Sequence, residues 1–206
     1  MNAILAVKLE YKGLFRMGHS RAEKAESHDR IVRVAAARFR ESGVGGVGVA
    51  DLMQDADLTH GGFYRHFASR DDLVAEAVER ALHDGGQAID ALANSKQFTL
   101  AALVDGYLST AHRDNLATSC AVTTLAADVA RSNDRARSAY TRQVGTYLEL
   151  LTRLIAGDRQ KSRRTKAIAA LSTLVGAVSM ARAVNDEKLS REILKSAADE
   201  LKARLG

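Results

Sequence analysis

Not one of the 206 residues in this chain is a proline, where average usage of about 5% would supply roughly ten. Proline lacks the backbone N–H and fixes φ, so it is the residue that most sharply ends or kinks a helix. Nothing of that kind interrupts this sequence. Ala, Leu, Arg and Glu, all good helix formers, recur throughout, while aromatic residues are 5% and Trp is absent. No stretch alternates β-branched with polar residues at period two. The expectation is an all-α fold of about nine helices.

The bulk numbers narrow the class further. Hydrophobic residues at 46% and charged residues at 27% are those of an ordinary soluble globular protein. No apolar run approaches the ~20 residues that a bilayer span requires, so no membrane partner is expected. Cys120 is the single cysteine, which rules out an intrachain disulfide and suits the reducing cytoplasm. The net charge of +5 permits a nucleic-acid partner without requiring one. Through residue 70 there are eleven Lys and Arg against eight Asp and Glu, so that N-terminal part is only mildly basic. The cluster Arg159, Lys161, Arg163, Arg164 and Lys166 reads as a solvated loop between helices.

Residues 1–16 are unlike the rest of the chain and make a poor signal peptide, since Lys8, Glu10 and Lys12 break their apolar run. Residues 1–26 are expected to be a flexible extension. From Ser27, a plausible N-cap, the helical period is plain: Ile31, Val34, Ala35 and Phe39 share one face, with Gly43 as the stop. A short helix at about 50–56 buries Leu52, Met53 and Ala56. Asp57 suits a left-handed turn, Leu58 is expected to be buried, and Thr59 caps another helix to about Phe67. Ser69 with Asp72 has capping-box spacing and opens a long helix to about Leu92. Further helices are expected near 97–113, 119–131, 133–156, 163–184 and 190–204.

Gly43 to Gly48 spells G-x-G-x-x-G. That fingerprint holds a pyrophosphate only where a strand feeds a glycine turn into a helix, and the residues before Gly43 read as helix, so a nucleotide site is excluded. The segment from Ala50 to Phe67 has helix-turn-helix proportions instead. Phe63 and Phe67, four apart, can both face a core and leave His60, Gly61, Tyr64, Arg65 and His66 on the other side. Tyr, Arg and His suit phosphate and base-edge contacts, and an early glycine permits close backbone approach to DNA. On spacing alone, a small capped helix with a solvated polar face accounts for the pattern equally well.

The run from Thr59 through His60-Gly61-Gly62-Phe63-Tyr64-Arg65-His66-Phe67 to Leu73, with Phe39 and Ser42-Gly43 before it, resembles the signature of TetR/AcrR-family regulators. The resemblance spans about residues 27–75, with some ten positions in register. It implies a three-helix DNA-binding domain over 27–72 and a larger helical ligand-binding and dimerisation domain over 73–206. Carried over by position, base reading falls to His60, Gly61 and Tyr64, and phosphate contact to Thr59, Arg65, His66 and Arg70, with Gly62 expected at the DNA among them. Gly62 stands where Thr is usual, Asp57 where the turn Gly is usual, and Gly48 where a Ser or Thr cap is usual. The implied partners are a palindromic duplex operator, a second copy of the chain and a small-molecule inducer, and the implied role is a sequence-specific repressor. A helical carrier or enzyme that leaves its DNA-binding unit unused is the alternative.

Residues 119–144, which hold Cys120 at the start of an expected helix, resemble one Cys-containing branch of these regulators. Phe98, Tyr107, His112, Cys120, Tyr140, Tyr147 and Met180 are candidate effector contacts, or plain core. The last two helices carry apolar faces, on which Leu174 and Leu201 are expected to meet a two-fold partner. The six His form no HxxxH pair and lie far from Cys120 in sequence, so neither a metal site nor a cofactor is expected. No nucleophile–base pair is legible, and no catalysis is expected.

Overall fold

The structure is a computed structural model that describes residues 21–93, 98–156 and 160–205. Among these are ten α-helices, two 3-10 segments and no strand. Helix α1 (Arg21–Ser42) starts upstream of the expected Ser27 cap, which therefore sits inside it. The residues from Arg21 to Glu26 form its first turn and a half rather than part of a free extension, because Arg, Ala, Glu and Lys all propagate helix well. The expected extension over residues 1–20 lies outside the described residues. Gly43 ends α1 at φ +73°, a value that L side chains rarely adopt, with its N–H on the Phe39 carbonyl at 2.9 Å.

A 3-10 turn (Val44–Gly46) leads into α2 (Val49–Asp55). Gly48 holds the N-cap position of α2 without a side chain, and Asp51 compensates by accepting the Gly48 N–H at 3.2 Å. Asp57 takes φ +57°, in keeping with its place at the expected left-handed turn. The next element (His60–Arg65) is a 3-10 helix. Helix α3 (Arg70–Ala93) follows, its N-terminus closed by Ser69 Oγ accepting the Asp72 N–H at 3.1 Å.

The body comprises α4 (Leu100–Tyr107), α5 (Thr110–Asp114), α6 (Ala121–Thr124), α7 (Ala126–Ala130), α8 (Asp134–Leu154), α9 (Gln160–Ala183) and α10 (Glu187–Leu205). Two helices expected to be continuous are each broken in two. At Ser109 the hydroxyl donates to the Gly106 carbonyl and accepts the His112 N–H, ending one helix and capping the next. At Leu125 the backbone leaves helical geometry between α6 and α7.

α3 joins the two ends of the molecule. Its Leu73, Val74, Ala77, Val78 and Ala81 pack on Ile31, Val32, Ala35, Ala36 and Phe39 of α1, and α3 packs on α8 as well. Polar clips hold the same seam: His28 to Glu76 at 2.7 Å, Arg80 to Asp29 at 2.7 Å, and Arg135 to Glu79 at 2.7 Å. α9 lies between α8 and α10, and α10 closes on α4. One continuous apolar core runs from Ile31 to Leu205. α9 is the only described helix long and apolar enough to cross a membrane, which corrects the expectation that no run would qualify. Its Ala167, Ala170, Leu171, Leu174, Ala177, Val178 and Ala181 are buried in this core.

Candidate nucleic-acid interface and effector cavity

The 3-10 helix is held from below and open above. Phe63 and Phe67 are both buried, their rings stacked with centroids 5.5 Å apart, and Phe67 also stacks on His28 at 4.5 Å. Burying each Phe contributes about 1.5–3 kcal/mol to fixing this short element. Thr59 occupies the N-cap position, but its hydroxyl makes no cap bond; its backbone carbonyl takes the Gly62 N–H at 2.9 Å. On the open side lie Thr59, His60, Gly61, Tyr64 and Arg65, all exposed. Tyr64 is 77% exposed, its ring standing edge-on to Phe63 at 5.2 Å. A Cβ on Gly61 would meet nothing within 4 Å, so the backbone there is open to an approaching surface.

Three of the residues expected at DNA are placed differently. Gly62 is half-buried against Met53, and a Cβ there would make ordinary contact at 3.6 Å. His66 is half-buried, its ring 6.2 Å from that of His28, and so lies off the open face. Arg70 turns inward, and its Nη2 donates to the carbonyls of Val44 and Val47, the latter at 3.1 Å. Those carbonyls belong to the glycine-rich connection, which Arg70 thereby ties to the first turn of α3.

A second feature lies in the body. A cavity of about 470 Å³ is walled mainly by apolar side chains such as Ile89, Leu103, Leu150, Leu151, Leu171 and Leu174. Of the candidate effector contacts, Phe98, Tyr107, His112, Cys120 and Tyr147 line it. Tyr140 does not; its hydroxyl donates to the Val122 carbonyl at 2.8 Å. Met180 does not either, being 55% exposed on the outer side of α9. Gly85 of α3 completes the wall, and it is there that α3 approaches α8 tightly: a Cβ would come within 3.1 Å of the Tyr147 hydroxyl. The leucines and Gly85 carry no sequence signal that separates cavity wall from core.

The polar end of the cavity is tightly bonded. Tyr107 Oη and Thr123 Oγ1 are 2.6 Å apart. His112 Nδ1 lies 2.6 Å from the Tyr107 carbonyl, which can only accept, so Nδ1 carries the proton. Nε2 then accepts from the Cys120 N–H and the Ser119 hydroxyl, each at 3.2 Å. Arg182 donates to Ser119 Oγ at 2.5 Å and to the carbonyls of His112 and Arg113, each at 2.8 Å. Burial, reinforced by the Arg182 charge and partly offset by the Tyr107 carbonyl, lowers the His112 pKa. Burial pushes the Tyr107 hydroxyl well up, so it stays a phenol at neutral pH. Among the described residues no group of His, Cys, Asp and Glu could hold a metal ion.

The described residues thus form a helix-turn-helix unit with an open face, joined by one long helix to an all-helical body around an apolar cavity. Residues 31–77 match the family described as bacterial regulatory proteins, tetR family. Solved structures share its fold over nearly their full length. A TetR transcriptional regulator from Chloroflexus aurantiacus J-10-FL is 23% identical, covering 89% of this chain and 98% of that one with a TM-score of 0.73. E. coli NemR in its reduced form is 18% identical, covering 88% and 97% with a TM-score of 0.71. A TetR transcriptional regulator from Legionella pneumophila is 16% identical, covering 92% and 99% with a TM-score of 0.72. No curated protein matches the sequence.

Proposed function

We propose that this transcriptional regulator is a homodimeric, cytoplasmic repressor that reads a palindromic operator with His60, Gly61, Tyr64 and Arg65, and leaves it when a small molecule fills the body cavity. The observation that carries the reading is Tyr64, a large aromatic side chain held 77% exposed on a rigidly anchored helix. A single exposed aromatic is ordinary, but here its neighbours on the same face are a cation, an imidazole and a bare glycine backbone, the groups that contact phosphates and base edges. Thr59 supports the same face as a phosphate contact.

The dimer is supported by α9. From Ala167 to Ala181 it carries no charged residue, and its outward side presents Ile168, Ala169, Ser172, Gly176, Ser179 and Met180. Ile168 is 48% exposed. Small residues across four turns let two helices approach closely, as a two-fold four-helix interface requires. Leu174 and Leu201, the positions expected at that interface from the sequence, are buried within the protomer and cannot form it. A non-catalytic role is part of this reading: His112, the imidazole beside Cys120, spends Nδ1 on the Tyr107 carbonyl and Nε2 on the Cys120 N–H and the Ser119 hydroxyl.

The test is selection of bound sequences from a random duplex pool by the full-length protein. Enrichment of an inverted repeat is expected. Enrichment of nothing above background would favour the carrier reading.

A further inference from the structure

The chemistry of the cavity constrains what it can hold, and the inference rests on reading it as the effector site. We propose that it takes an uncharged, largely apolar molecule bearing a single hydrogen-bonding oxygen, such as a phenol or ketone. Carboxylates and ammonium compounds on the same skeleton are excluded.

The volume of about 470 Å³ suits a drug-sized ligand. Among the described residues, no Asp, Glu, Lys or Arg lines it. A buried ion without a partner of opposite charge is strongly disfavoured. His112 cannot supply a charge, since Nδ1 donates to a carbonyl while Nε2 is occupied by two donors. Protonation of Nε2 would set its new N–H against the Cys120 N–H.

The polar end also has a sign. Arg182 and Arg40 lie behind the wall, within electrostatic reach of Cys120, and both are bonded to backbone carbonyls. They do not reach the ligand, so they cannot pair with a buried carboxylate, but their charge disfavours a cation at that end. An ammonium group is therefore repelled, and an electron-rich neutral oxygen is favoured. The donor for that oxygen is Tyr107. In its 2.6 Å pair with Thr123 either hydroxyl can donate; if Thr123 donates to Tyr107, the Tyr107 proton turns to the ligand. His112 and Arg182, committed to carbonyls, cannot change direction so cheaply.

Isothermal titration of the full chain with para-hexylphenol, para-hexylbenzoate and para-hexylbenzylammonium at neutral pH tests this directly. The phenol is expected to bind at least ten-fold more tightly than either ion. Tyr107→Phe keeps the apolar wall and is expected to weaken the phenol about ten-fold, leaving para-hexyltoluene unchanged. Gly106→Phe adds a side chain where a Cβ meets nothing within 4 Å and is expected to abolish binding by occupancy. Equal or tighter binding of either ion, no binding of any probe, or indifference to both variants would overturn the proposal. A phenol that binds in this way but does not release operator DNA would leave the ligand class standing and refute the effector reading.

Discussion

Tyr64 and Phe63 are neighbours in sequence with opposite fates, and the period of a short helix decides which is which. Phe63 and Phe67 go inward, so Tyr64 stands outward with little to hold it except an edge contact to Phe63. Tyr64→Ala should therefore leave thermal stability nearly unchanged while costing about 1–3 kcal/mol of operator affinity and relaxing base preference. A gel-shift titration checks this, and a variant with wild-type affinity would remove Tyr64 from the readout. Arg40 makes a different point. It is buried in α1, with one 3.4 Å bond to the Ala81 carbonyl and no partner for Nε. Asp84, whose charge favours it, is already bound by Arg80 at 2.9 Å. Burial dominates its pKa and lowers it, so Arg40→Met should hold or raise the midpoint of chemical denaturation; a clear fall would show that the cation is needed. His112 carries the pH dependence. Its folded pKa lies below the ordinary value of 6.5, so its contribution to stability is complete above 6.5 and is lost as pH falls through the folded value. Denaturation between pH 7 and 5 should show that loss, and His112→Gln should flatten it. His60, Gly61, Tyr64 and Arg65 of the open face were legible in sequence from helical period, whereas His66, put there by the same period, lies off it. The inward turn of Arg70 was not, because nothing local says that the carbonyls of Val44 and Val47 will point at α3.

At the level of elements, the sequence was most informative where a strong local preference met no competition. Gly43 and Asp57 both take positive φ, and both are turn residues by their chemistry alone. Ser69 caps α3 as its spacing to Asp72 implied, and Ser69→Ala should cost about 1 kcal/mol of stability by denaturant titration. A loss near zero would mean that the first turn of α3 is held by Arg70 instead. The sequence misled where tertiary packing chose between equally helical alternatives. Nothing in the period distinguishes Leu125 from its neighbours, yet the backbone breaks there between α6 and α7. Leu174 and Leu201 lie on apolar faces, but a face does not say whether its own chain or a partner covers it; here the chain covers both. Tyr140 likewise looks like Tyr147 in sequence, and only the path of α6 brings the Val122 carbonyl to its hydroxyl.

At the scale of the whole molecule, α3 connects the two proposed sites. Its first half is packed and clipped to α1, and its second half carries Gly85 into the cavity wall against Tyr147. A ligand that displaces Tyr147 pushes on the same rigid rod that positions the recognition helix, and interhelical packing transmits such a shift rather than absorbing it. On the proposed reading, an inverted-repeat operator demands two such units in fixed relation. Ile168→Glu should place a charge in the uncharged outer face of α9 and yield a folded monomer by sedimentation, with weak operator binding; an undisturbed dimer would move the interface elsewhere. The central claim, that the open face of the 3-10 helix reads duplex DNA, is tested most directly by the salt dependence of binding to a selected inverted repeat, compared with scrambled DNA. Counterion release predicts that affinity for both falls steeply with salt, while the preference for the repeat persists in the wild type and collapses in Tyr64→Ala. Binding that is flat in salt, or a preference that survives Tyr64→Ala intact, would contradict it.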